Sequence, residues 1–239
     1  TVRYDAPIWI ALVAAFLLTG VVSVVLGLIT LRIKGHYFAI ATLGMAEAVR
    51  VLVNAARPIT QGAIGFPLPI DLIKISPLVP YYVALGTLVL IVTVSALILG
   101  SDFGLRLLAI REDEIGAEAL GVATSQAKIA AFVISGALTG LLGGVFAWVL
   151  NFLSPESVLI PAVSLQIVVM VIVGGMGTIA GPLVGGLGFY LLSEFALINA
   201  PRLNLAILGS ILVIAMLFFR RGIFGSLQAS RWWPKGLRI

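Results

Sequence analysis

Charged side chains are so scarce in this sequence that each one inside an apolar stretch needs a physical reason. Glu47 and Arg50 lie three residues apart in the apolar run 37–56, a spacing that puts them on one face of a helix. A lone charge at mid-bilayer costs roughly 2.5–3.5 kcal/mol on insertion scales, and pairing offsets much of that. Such a pair either fixes helix packing or lines a polar path for a solute. Thr42, five residues before Glu47, is read as lying on the same side and adding a hydroxyl. Groups for covalent or metal chemistry are almost absent. There is no cysteine and one histidine, His36, so a disulfide, a thiolate site, a histidine-rich metal site and a histidine relay are all excluded. His36 is read as an amphipathic anchor at the membrane interface. The string Gly175-Met176-Gly177-Thr178-Ile179-Ala180 spells G-x-G-x-x-A, but no strand–helix–strand unit surrounds it, so it is rejected as a dinucleotide site. No G-x-x-x-x-G-K-[ST] occurs, so this chain does not hydrolyse ATP by itself. No cofactor and no metal are expected.

The elements that hold these residues are built for apolar surroundings. Of 239 residues, 61% are hydrophobic and 10% charged, with a mean hydropathy of +1.18. Soluble domains carry about 25% charged residues, and disorder needs low hydrophobicity with high charge, so both classes are excluded. The run 6–31 holds no charge, and at about 1.5 Å per residue it exceeds a hydrocarbon core of about 30 Å. Runs 37–56, 78–100, 129–153 and 203–219 are read as further spans. The uncharged run 157–193 is too long for one ordinary span; it is read as two short or broken helices turning near 177–182. The expected fold is an all-α integral membrane protein, a polytopic helical bundle of about seven spans or partial spans. It is expected to form a single transmembrane domain over 1–239.

Glycines punctuate two of these runs. Gly136, Gly140 and Gly144 recur every four residues, and so do Gly177, Gly181 and Gly185. Small residues at this spacing let helix backbones approach closely in lipid. In the second group, which adds Pro182, they also fit a discontinuous helix whose exposed backbone at Gly175, Gly177 and Gly181 lines a pathway.

Lys and Arg near the span ends set the orientation. With the tail 220–239 inside, the loop 101–128 is inside, 57–77 is outside and Thr1 is outside. Ten of the 15 basic residues then lie inside and four outside, with Arg50 within a span; the reverse orientation inverts that ratio. The +5 net charge is thereby explained without nucleic acid, since the basic residues flank apolar runs instead of forming a soluble face. An outside N-terminus leads to the expectation that at least one span precedes Thr1.

The loop 101–128 is the most informative segment. Read as one helix, 111–121 puts Ile115, Ala119 and Val122 on one face and Glu112, Glu114 and Glu118 elsewhere, with Gly121 able to close it in a left-handed cap. Helices that lie on cytoplasmic lipid carry Lys and Arg on the polar face, because that lipid is anionic. Here five acids stand against Arg106, Arg111 and Lys128. An acidic helix suits docking on a protein.

These residues resemble a known family. Gly104-Leu-Arg-Leu-Leu-Ala-Ile-Arg111-Glu-Asp-Glu-Ile-Gly-Ala-Glu118-Ala-Leu-Gly121-Val is similar to the EAA-type coupling loop of ABC importer permeases. Lys128-Ile-Ala-Ala-Phe132 through Gly144 continues the likeness. Leu31-Arg32-Ile-Lys34-Gly35-His36-Tyr37-Phe38-Ala39-Ile40-Ala-Thr42-Leu43-Gly44, with Glu47 and Arg50, resembles the LivM-type permeases of branched-chain amino acid importers. Ser154-Pro155-Glu156-Ser157, Gly174-Gly175-Met-Gly177-Thr178 and Phe218-Phe219-Arg220-Arg221-Gly222 match later signatures of that group. The resemblance implies half of a translocation pathway for hydrophobic amino acids, with coupling through Arg111, Glu112, Asp113, Ile115, Glu118, Ala119 and Gly121. It also implies a homologous LivH-like permease subunit, two ATP-binding subunits, a periplasmic or extracellular substrate-binding protein and no nucleic acid. The implied location is a bacterial or archaeal cytoplasmic (inner) membrane. Thr42, Glu47, Arg50, Gly175, Gly177 and Gly181 are the expected path residues. The sequence departs from the pattern in the outer loop, Thr60-Gln61-Gly62-Ala63-Ile64-Gly65 against Thr-Gly-Gly-x-x-Gly. Urea and short-chain amide permeases share the scaffold and are the alternative substrate class. A channel or secondary transporter is the alternative mechanism; it would rest on Glu47 and Glu194 as titrating acids.

Overall fold

The structure, a computed structural model, describes residues 7–33, 36–57, 62, 65–67, 78–150, 152–199 and 209. The chain divides into two compact units, Thr1–Leu159 and Ile160–Ile239. The first carries α1 (Ile8–Thr30), α2 (His36–Ala55), β1 (Phe66–Pro67), α3 (Leu78–Leu99), α4 (Asp102–Glu112), α5 (Glu114–Ala119), α6 (Thr124–Leu150), β2 (Phe152–Leu153) and α7 (Pro155–Val158). The second carries α8 (Pro161–Gly174) and α9 (Ala180–Asn199). Among the described residues, α1, α2 over Tyr37–Ala55, α3 and α6 are the helices long and apolar enough to cross a membrane. The expected span 203–219 and the tail 220–239 lie outside the described residues, Gly209 apart.

In the first unit α6 is the central element, packed along α1 and against α3. The close approach to α1 is made by glycine. A Cβ on Gly136 would overlap the Ser23 side chain, one on Gly140 would overlap Thr19, and one on Gly144 would come 2.8 Å from Leu12 Cδ2. In the other direction Gly20 of α1 faces Ala137, and Gly27 faces the Phe132 ring. The four-residue repeat on α6 is therefore a packing face, as small-residue repeats are in lipid. Few other side chains are enclosed. Leu17, Leu18, Val21 and Val25 of α1 are exposed, as are Leu85, Val89 and Leu97 of α3. Apolar area on that scale is tolerated only where lipid or another protein replaces water.

Three threonine hydroxyls inside the spans are satisfied locally, as a bilayer requires. The Thr30 hydroxyl donates to the Leu26 carbonyl, Thr87 to Val83 and Thr139 to Ser135, each at 2.8 Å. The β1–β2 pair is antiparallel, with Phe66 opposite Leu153 and Pro67 opposite Phe152. Gly65 precedes it at φ +73°, where a Cβ would overlap the Leu153 carbonyl.

α6 starts at Thr124 rather than at 129. Lys128 is thus a helical residue. Its charge marks no boundary, since a lysine stem lies along apolar surface while the ammonium reaches outward.

In the second unit, 157–193 does form two helices, but the break falls at 175–179, not 177–182. Pro182 sits in the first turn of α9, where its missing N–H costs no helical bond. α8 has 14 residues, about 21 Å of rise, shorter than a hydrocarbon core. A Cβ on Gly174 would overlap the Gly181 carbonyl, and one on Gly185 the Met170 carbonyl, so α8 and α9 touch through their backbones.

Candidate functional site

The loop between α3 and α6 is a built structure with fixed ends. α3 stops at Leu99, and the Ser101 hydroxyl donates to the Ile98 carbonyl at 2.6 Å while accepting from Gly104 N–H at 3.3 Å. Gly104 lies so close to α3 that a Cβ would come 2.7 Å from Leu99 Cα. The elbow from α3 into α4 is therefore tight, and only glycine fits it. α4 ends with Arg111 and Glu112, which pair at 3.0 Å on an exposed surface and so contribute little to stability.

The expected single helix over 111–121 is two elements. Asp113 interrupts it with extended backbone, φ −153° and ψ 107°. The physical cause is its side chain, which accepts from Ile115 N–H at 3.0 Å and so caps a new helix. α5 is closed at its other end by Gly121 at φ +87°. Val122 N–H donates to the Ala117 carbonyl and Gly121 N–H to the Glu118 carbonyl, both at 3.0 Å, which is a Schellman motif. Ala117, 4% exposed, is the inward residue, whereas Ile115 is 77% and Leu120 87% exposed. Glu118, Ala119 and Gly121 are exposed beside them. Two large apolar side chains thus stand outward on a rigid stub with acids around them. The stub is joined to α6 by an ion pair, Lys128 Nζ to Glu114 Oε2 at 2.6 Å.

The second candidate group lies on α2. Arg50 Nε donates to both carboxylate oxygens of Glu47, at 3.0 and 3.1 Å, and a second guanidinium nitrogen adds a 2.5 Å contact. The pair is partly exposed on a helix whose apolar window is nowhere buried. Thr42 does not share that side. Five residues along a continuous helix are roughly 140° apart, and the Thr42 hydroxyl donates to its own helix, to Phe38 and Ala39. Asn54, four residues after Arg50, does fall on the pair's face, and its Oδ1 is buried with no hydrogen-bond partner. His36 opens α2.

In the second unit Gly175 and Gly177 take φ +124° and +82° in the turn. Gly175 is buried and Gly177 exposed. The Thr178 hydroxyl donates to the Gly175 carbonyl and accepts from Gly181 N–H, each at 3.0 Å. Gly181 is buried, and its missing side chain makes room for the Gly175 carbonyl. Among the described residues no group of His, Cys, Asp or Glu is placed to hold a metal.

A family model described as "branched-chain amino acid transport system / permease component" matches residues 1–216. The chain belongs to that family. The chain is 29% identical over 248 residues to "High-affinity branched-chain amino acid transport system permease protein LivM" of Salmonella typhimurium strain LT2 and to the protein of the same name from Escherichia coli K12; each match covers 92% of this chain and 58% of the relative. The chain thus spans less than two thirds of the length of these relatives. It is 30% identical over 171 residues to "Autoinducer 2 import system permease protein LsrC" of Yersinia enterocolitica, covering 69% of this chain and 45% of that one. No solved structure matches.

The geometry brings forward four residues beyond the expected site residues. Leu120 reads as an ordinary apolar residue until the Schellman turn points it out. Asn54 is signalled by the spacing 47, 50, 54, a helical stripe of polar types in a span. Glu114 and Lys128 are 14 residues apart, and no local periodicity joins them.

Proposed function

We propose that this permease forms half of the translocation pathway of an ABC importer for branched-chain, hydrophobic amino acids, and that a separate ATPase drives it. The observation that carries this reading is the outward pair Ile115 and Leu120 on a helix fixed at both ends by Asp113 and Gly121. A buried-type side chain held rigidly in the open is what a partner's pocket engages at an interface. The partner is an ATP-binding subunit on the cytoplasmic side, with Arg111, Glu112, Asp113, Glu118 and Ala119 bordering the contact. A second, LivH-like permease completes the pathway, a second ATP-binding subunit completes the motor, and a binding protein delivers solute from outside. The membrane is the cytoplasmic membrane of a bacterium or archaeon, and both units of the chain belong to one permease domain.

The mechanism asks no bond chemistry of this chain. Closure of the ATPase pair moves α5, and α5 moves the spans between an outward-open and an inward-open arrangement. That requires contacts differing between the two states. A zwitterionic substrate needs one anionic and one cationic or dipolar contact, which Glu47 and Arg50 supply when their mutual pair opens. In the second unit the Gly175–Gly177 turn and Gly181 offer backbone to the solute.

The test is ATPase activity of the reconstituted complex against a panel of amino acids, urea, short-chain amides and sugars. Stimulation by leucine, isoleucine and valine is expected. Stimulation by urea or amides alone would reassign the substrate. No stimulation by any solute would contradict an ABC importer.

A further inference from the structure

The α5 stub has to move something, and the fold restricts what that is. On its N-terminal side it is joined to α4 by one residue, Asp113, whose backbone is extended and carries no helical continuity. On its C-terminal side Gly121 turns the chain back at φ +87°. Both ends are closed by caps, and at neither does the α5 helix continue into its neighbour. The inward face of α5 offers only Ala117, a single methyl. What remains is Glu114, at the first residue of α5, which reaches Lys128 in the second turn of α6 at 2.6 Å. Both side chains are about two-thirds or more covered, with 31% and 26% exposed, so this pair is less accessible to solvent than Arg111–Glu112 at 58% and 75%. α6 in turn is locked to α1 through the glycine contacts at Gly136, Gly140 and Gly144.

We propose that the Glu114–Lys128 ion pair is the strap through which displacement of α5 is delivered to α6, and with it to the α1–α6 pair. The two residues are positioning residues: they touch neither nucleotide nor transported solute and act through the helix they pull. The inference rests on the proposed coupling role of α5 and adds the route by which that coupling leaves the stub.

The experiment uses the full reconstituted complex and reads three quantities: retention of the ATPase subunits, basal ATPase, and solute transported per ATP hydrolysed. Glu114→Lys and Lys128→Glu are each expected to retain the ATPase subunits and basal ATPase. Each is expected to lose transport per ATP by at least about fivefold, the lower end of coupling between linked sites. The exchange Glu114→Lys with Lys128→Glu restores the wild-type ratio, which a loss of local stability alone does not predict. If either single variant fails to assemble, the neutral pair Glu114→Gln with Lys128→Gln takes its place, and it is expected to assemble and remain uncoupled. A wild-type ratio in the single or neutral variants would overturn the strap, and so would an exchange variant that assembles without rescue. Loss of ATPase-subunit retention in these variants would also overturn it, by making the residues part of the docking surface, while leaving the role of α5 standing. A wild-type complex that shows no solute-stimulated ATPase would remove the functional reading itself.

Discussion

At the scale of single residues, the Glu47–Arg50 pair carries the most testable physics. The two ends neutralise each other through three short contacts. Removing Arg50 leaves Glu47 uncompensated in a span, at roughly 2.5–3.5 kcal/mol, whereas removing both does not. Arg50→Gln is therefore expected to lower the thermal midpoint of the purified protein more than the double variant Glu47→Gln with Arg50→Gln. The double variant is expected to insert and assemble but to transport poorly; normal uptake in proteoliposomes would discard the pair as path residues. Asn54 makes a third position on that stripe, with a buried acceptor. Asn54→Leu removes the unpaired oxygen, so protein stability should hold or rise while solute affinity falls, measured by uptake at varied concentration. Gly121 belongs to the same scale. At φ +87° an L side chain is strained, so Gly121→Arg both loosens the cap of α5 and adds bulk beside Leu120. Glu118→Lys reverses a charge on the exposed rim. Both are expected to abolish transport while the protein still inserts in the membrane.

At the scale of elements, the α1–α6 contact predicts opposite outcomes for neighbouring glycines. Gly140→Val forces a branched side chain against Thr19 and the Ala15 backbone, an overpacking cost of about 1–3 kcal/mol. At Gly143 nothing lies within reach of a Cβ, so Gly143→Ala gains helix propensity of about 1 kcal/mol. Thermal unfolding in detergent should move down for the first and not for the second. The same contrast shows what a sequence reveals. The spans α1, α2, α3 and α6 were legible because lipid imposes length and an absence of charge, both of which are one-dimensional properties. The glycine spacing was legible because close packing needs small residues at helical repeat. The interruption at Asp113 was not, since an aspartate in a charged helix looks like any polar-face residue until its carboxylate is seen on Ile115 N–H. The start of α6 is not legible for a related reason: Lys128 reads as loop by charge, yet its ammonium finds Glu114. Thr42 is near Glu47 in sequence, but the helical angle separates them.

At the scale of the whole molecule, the exposed apolar helices and the outward α5 stub have meaning only with other components present. Leu17, Leu18, Val21 and Leu97 are exposed and need lipid or protein over them, while in the proposed assembly Ile115 and Leu120 fill a protein pocket outside the bilayer. An interface of that kind concentrates its energy in a few anchors. Leu120→Asp is accordingly expected to weaken ATPase-subunit retention by about 2 kcal/mol, on the order of 30-fold, with membrane insertion unchanged. The most direct measurement places a photoreactive side chain at position 120 in the assembled complex in membranes, illuminates it, and identifies what is attached. Attachment to an ATP-binding subunit, altered in extent when nucleotide is trapped, is the predicted result. Attachment to lipid alone, or labelling of position 120 by an impermeant reagent from outside the cell, would contradict it.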